Sequence, residues 1–220
     1  MVPPGVPFAP SPGYNPPAFN VPPGVGLLLL VNLGAFALIL LLPARLEQEL
    51  IDITGLIPAR FFAAWLAPAG VHRHAADYLP FFSYMFLHAG FTHLLFNMGF
   101  LLAFGGGIER RVGRFRMLAF YLVCGVLAGA FYALLHRADA VLLVGASGAI
   151  SGLFGGALRF LIHEPRRAII AAAVWLVFTV AFGLLGDGGL ADGAGIAWEA
   201  HIGGFVAGIL LFPLFDRRRS

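Results

Sequence analysis

Six apolar stretches, each about one bilayer in length and separated by short gaps, constrain this chain more than any other feature. They lie near residues 25–42, 86–105, 115–135, 147–162, 168–186 and 197–215. About 20 residues of helix cross a hydrocarbon core ~30 Å thick. In lipid every backbone N–H and C=O needs a partner within the protein, and continuous apolar runs without alternation meet that need as helices. The sequence therefore predicts an all-α, polytopic membrane protein, a bundle of six transmembrane helices over residues 25–215. Of its 220 residues 60% are hydrophobic and 11% charged, against roughly 25% charged in a soluble domain. That excludes a soluble globular enzyme, a disordered regulator and a secreted disulfide scaffold. The single cysteine, Cys124, rules out an intrachain disulfide.

All fourteen basic residues are arginine, clustered in the gaps between apolar runs. Membrane proteins mark their cytoplasmic face in this way, so no nucleic-acid partner is expected. With the N-terminus inside, ten arginines (110, 111, 114, 116, 159, 166, 167, 217, 218 and 219) fall on the inner side and four (45, 60, 73 and 137) outside. Both termini are therefore expected in the cytoplasm. The compact layout, without an organelle signal, suits a bacterial inner membrane. Residues 1–24 are proline-rich with no charged side chain, and read as a disordered cytoplasmic tail; residues 216–220 read as a short basic one. The gap 43–85 carries Phe61, Phe62, Trp65, Leu66, Phe81 and Phe82, and reads as an interfacial loop lying partly in the outer leaflet.

Polar groups inside the runs are costly and usually face the bundle interior. His93 and Asn97, four residues apart, share a helix face. Ser147 opens the fourth run and His201 lies one turn into the sixth. At about 1.5 Å per residue these four fall at compatible heights in the outer half of the bilayer. Gly148, Gly152 and Gly156 repeat every four residues, as do Gly204 and Gly208 below His201. Small-residue stripes let helix backbones approach closely, and two facing stripes would bring His201 to Ser147. A serine alone is usually a helix cap, and a lone intramembrane histidine an interhelical hydrogen bond. Together they read as nucleophile and base. Asn97, His93 and the Ser147 backbone N–H are candidate oxyanion donors. Glu199 points away from His201 on a helix, so the reading is a dyad without an acid. No cofactor is expected. His72 and His74 lack the further ligands of a zinc site and read as solvated loop residues. Neither a His-Glu-x-x-His motif nor a second intramembrane aspartate is present. Gly145 to Ala149 is not the Gly-x-Ser-x-Gly elbow, because residue 149 is alanine.

The strings Phe82-Ser83-Tyr84-Met85-Phe86-Leu87-His88, His93-Leu94-Leu95-Phe96-Asn97, Glu109-Arg110-Arg111, Gly145-Ala146-Ser147-Gly148 and Ala200-His201-Ile202-Gly203-Gly204 with Gly208 resemble the rhomboid intramembrane serine proteases, in order and spacing. The resemblance covers residues from about 80 to 210. It implies a six-helix core and hydrolysis of transmembrane protein substrates near the outer face. It further implies Ser147 as nucleophile, His201 as base, and His93 and Asn97 as oxyanion stabilisers. The fifth helix and the glycine-rich loop 187–196 would move to admit substrate. His88 and Gly145 are candidate auxiliary residues, and Glu109 with Arg110 reads as pinning the inner loop. Some members carry an aromatic residue one turn after the serine; here that position is Ser151. The alternative is an inactive rhomboid-like protein that binds transmembrane helices, but such proteins typically lack the serine or the histidine.

Overall fold

The computed structural model describes residues 20–65, 74–161, 163–185 and 197–216. Most of the proline-rich tail, His72, Leu66, the loop 187–196 and the residues after 216 lie outside them. Helix α1 (Pro23–Leu41) starts on a proline, whose missing N–H is no loss at that position, and ends before Pro43. The expected interfacial gap holds α2 (Ala44–Thr54), α3 (Pro58–Trp65) and α4 (Pro80–Ser83), with 3-10 turns at Ala75–Tyr78 and Tyr84–Phe86. There follow α5 (Phe91–Val112), α6 (Arg114–Leu135), α7 (Ser147–Ala157), a 3-10 turn at Leu158–Leu161, α8 (Pro165–Leu185) and α9 (Trp198–Phe215).

The molecule is a polytopic bundle of membrane helices. Among the described residues α1, α5, α6 and α9 are long and apolar enough to cross a membrane. The outward faces of α1, α8 and α9 are greasy: Leu30, Leu41, Ile169, Val177 and Leu210 are each more than three-fifths exposed. Water would not tolerate so much contiguous apolar surface, whereas acyl chains do.

The helices depart from the apolar runs at particular places. The second run, expected over 86–105, is helical over Phe91–Val112. The helix continues through Glu109-Arg110-Arg111 and stops at Gly113, which takes a φ of 86°. Charge reads as a boundary in hydropathy, but Glu109 is buried. Its two oxygens accept the N–H groups of Gly24 and Val25, each at 2.8 Å. They thereby satisfy the first, unpartnered donors of α1, where the helix dipole favours negative charge. Glu109 pins α1 rather than the loop that follows it. The fourth run ends its α-helical part at Ala157, which makes α7 eleven residues long. At 1.5 Å per residue plus the 3-10 turn, α7 reaches only about 25 Å.

This short helix sits among α5, α6 and α9. A Cβ placed on Gly204 would stand on the carbonyl oxygen of Gly148, and one on Gly208 on that of Gly152, both far inside contact distance. Gly148 and Gly152 turn toward Ala128 and Cys124 of α6, while Gly156 faces Phe120 and Phe212. Gly155, which no stripe singled out, abuts the Phe205 carbonyl. The backbones of α7 and α9 thus touch almost directly. The gap segment is stitched to the α6–α7 link: Leu56 and Leu143 exchange backbone hydrogen bonds at 3.2 and 2.8 Å, and Ala59 N–H donates to the Asp139 carbonyl at 3.0 Å. Tyr84 O–H donates to Gly125 O at 2.7 Å.

Candidate active site

The site grows from the turn into α7. Gly145 N–H donates to the Tyr84 carbonyl at 2.9 Å. Its φ of 121° lies where a side chain is strained. Ser147 is the first residue of α7, and no side chain caps that terminus. The hydroxyl serves another partner: Oγ stands 2.7 Å from His201 Nε2. The two residues are 54 apart in the chain, and the glycine seam brings them together. Among the described residues no carboxylate is hydrogen-bonded to His201.

His93 and Asn97 project from the first turns of α5 into the same cavity, which has a volume of about 780 Å³ and is also lined by Ser147 and His201. Asn97 Nδ2 donates to the His93 carbonyl at 2.8 Å, which leaves its second N–H for a ligand. The Ala89 N–H donates to His93 Nδ1 at 3.4 Å. With that nitrogen accepting, the neutral ring carries its proton on Nε2. A Cβ on Gly145 would lie 2.8 Å from His93 Nε2 and 3.7 Å from Ser147 Oγ. Glycine therefore leaves vacant the space between a ring N–H and the serine oxygen. An oxyanion formed by attack of Ser147 needs donors about 2.7–3.1 Å away, and this space is of that scale. The donors can hold developing negative charge, and the Ser147–His201 pair can pass a proton.

His88 is not part of the cavity wall. Its buried ring packs against His93 from behind, with centroids 5.2 Å apart and an interplanar angle of 62°. Ser151, in the aromatic position of the resemblance, is buried and lines the cavity. One turn below His201, Phe205 stacks on Trp175 at 4.3 Å and on Phe154 at 5.8 Å. Helices α7, α8 and α9 each give one ring to this aromatic floor. The only trace of it in the sequence is the four-residue spacing of His201 and Phe205.

The cavity is also lined by His136 and Asp139, which the sequence did not single out, and by Glu199. Glu199 does turn from His201, as expected, and meets His136 instead: its Oε1 is 3.2 Å from His136 Nε2. His136 Nδ1 is 2.7 Å from Asp139 Oδ2. Burial disfavours charge on His136, but hydrogen bonding to Asp139 and Glu199 and their negative charge outweigh it and raise its pKa above the ordinary 6.5. Among the described residues no group of three or more His, Cys, Asp or Glu is placed to hold a metal ion.

Residues 75–218 match the family model described as "Rhomboid domain". The chain is 40% identical over 127 residues to RHOMBOID-like protein 4 of Arabidopsis thaliana, covering 57% of this chain and 31% of the relative. It is 34% identical over 134 residues to the putative rhomboid protease YdcA of Bacillus subtilis, covering 61% and 65%. It is 33% identical over 150 residues to the rhomboid protease AarA of Providencia stuartii, covering 58% and 52%. The match thus spans about a third of the plant relative and half to two thirds of the bacterial ones.

Proposed function

The chain belongs to the rhomboid family, and on that premise we propose that it is an intramembrane serine endopeptidase, cutting peptide bonds in or next to the transmembrane segments of other membrane proteins. One observation carries the reading: Ser147 Oγ lies 2.7 Å from His201 Nε2 at the head of the α7–α9 seam. A hydroxyl is a weak nucleophile until a base takes its proton. As Ser147 Oγ attacks the scissile carbonyl carbon, its proton passes to His201 Nε2. The carbonyl oxygen becomes an oxyanion, held by the Asn97 amide, the His93 Nε2–H and the Ser147 backbone N–H. The C–N bond then breaks, and His201 gives the proton to the leaving nitrogen. Water, deprotonated in turn by His201, attacks the acyl ester carbon; the C–Oγ bond breaks and His201 returns the proton to Ser147 Oγ.

The substrate helix has to open locally before it is cut, because intact helical carbonyls are engaged in hydrogen bonds. Small residues and residues of low helix propensity beside the scissile bond suit that requirement. The arginine bias supports an orientation with both termini cytoplasmic and the active site opening to the outer face. The test is cleavage of a single-pass substrate reconstituted with the protein in liposomes, alongside labelling by a serine-directed fluorophosphonate. Ser147→Ala is expected to abolish both, and His201→Ala to lower both by at least about 10³-fold. Wild-type cleavage by folded Ser147→Ala would overturn the proposal.

A further inference from the structure

The first turn of α9 carries, beside His201, a carboxylate for which the proposed chemistry has no use. Glu199 reaches across to His136, the first residue after α6, whose other nitrogen meets Asp139. The His136 ring lies on Tyr132 with centroids 4.4 Å apart and planes 27° from parallel, which fixes its plane. A carboxylate only accepts hydrogen bonds, and a neutral imidazole has one N–H and one lone pair. Between two carboxylates, neutral His136 would aim its lone pair at an anion; only the imidazolium, with two N–H groups, satisfies both. Among the described residues the groups facing His136 are Asp139 from the α6–α7 link, Glu199 from α9 and the Tyr132 phenol from α6. The neighbouring Arg137 points elsewhere: its guanidinium lies over the Phe62 ring, and Nε donates to the Leu134 carbonyl.

No side-chain cap holds the start of α9. Trp198 packs on α8 at Gly183, and Glu199 supplies the tie on the α6 side. His201 follows Glu199 by two residues, about 3 Å along the helix axis. We propose that Asp139, His136 and Glu199 form a latch closed by one proton, which holds the first turn of α9 and so positions His201 against Ser147. Its catalytic consequence rests on the peptidase reading; its structural consequence does not. The latch and the base make opposite demands on pH. His201 accepts a proton only when neutral, whereas His136 holds Glu199 only when charged. His136 has its pKa raised by folding. The hold is therefore complete below the ordinary histidine value and is lost as pH rises through the raised one.

Glu199→Gln separates these demands, because a glutamine amide donates to the neutral His136 Nε2 and keeps the tie without the extra proton. Asp139→Asn does the same at the other nitrogen. The first measurement is hydrogen exchange in residues 198–204 of the full chain in detergent, at pH 6 and pH 9, corrected for intrinsic exchange. Wild-type protection is expected to fall severalfold from pH 6 to pH 9, as the proton that closes the latch is lost, while protection in Glu199→Gln and Asp139→Asn stays level. The second is the pH profile of cleavage in liposomes. Wild-type kcat is expected to fall on the alkaline side with KM little changed, and the fall is to move to higher pH in either variant. Protection independent of pH in the wild type, or a variant that matches its pH dependence, overturns the latch. A wild-type protein that shows the exchange pattern and cleaves nothing sinks the peptidase reading and leaves the latch standing.

Discussion

Gly204→Ala tests whether the seam between α7 and α9 sets the distance on which the proposed catalysis depends. Gly204 lies three residues below His201 on α9. An added methyl carbon would sit more than 1 Å inside the 3.4 Å at which ordinary contact with the Gly148 carbonyl begins. Neither partner has a flexible side chain that could give way, so the helix axes must part by about 1 Å. The Ser147–His201 separation of 2.7 Å would then exceed the roughly 3.0 Å limit of an O–H···N contact of this kind. A 1 Å misplacement at a reacting pair costs on the order of 10²-fold in rate. Overpacking of this sort costs about 1–3 kcal/mol of stability. The assay is the initial rate of substrate cleavage in liposomes, compared per folded molecule as judged by thermal unfolding and gel filtration. Gly99→Ala on α5, where no heavy atom lies within 4 Å of the new carbon, is the control and is expected to keep the wild-type rate. A folded Gly204→Ala protein that cleaves at the wild-type rate would refute the reasoning.

Two further perturbations act at separate places. Gly145→Ala strains a backbone at φ 121° and drives a carbon to 2.8 Å from His93 Nε2. Loss of that donor is expected to lower kcat about 10²-fold with little change in KM, as for removal of one oxyanion donor. Glu109→Ala removes the acceptor of two backbone N–H groups at the head of α1. It is expected to lower stability by roughly 1.5–3 kcal/mol, read as the thermal midpoint in detergent. Its fluorophosphonate labelling per folded molecule is expected to stay within about twofold of wild type.

Residue chemistry made much of this site legible in the sequence. Ser147, His201, His93 and Asn97 stand out because polar groups are expensive in lipid, and counting 1.5 Å per residue sets their relative heights. The glycine stripes foretold a close backbone approach, and α7 and α9 do meet there, although Gly155 and not Gly156 abuts the α9 backbone. Pairings set by closure of the bundle were hidden. The partners of Glu109 are 84 and 85 residues away, and hydropathy reads a charged residue as the end of a span. His136 and Glu199 are 63 residues apart, and each alone reads as an ordinary loop or helix-start charge. The fourth run already reads as short, with Arg159 near its end; its change to a 3-10 turn after Ala157 was hidden, because an apolar run rich in glycine and alanine looks alike in α-helical and 3-10 form.

The seam has a second duty that has nothing to do with bond cleavage. The proposed peptidase must let water down to Ser147 without opening a conduit from one side of the bilayer to the other. Below Ser147 the backbones of α7 and α9 close on each other at Gly152 and Gly208, and Phe120 and Phe212 plug the level of Gly156. Along α7 and α9 the wall is closed at that level. A substitution that pries those helices apart is expected to weaken the barrier between the two sides as well as the proposed cleavage.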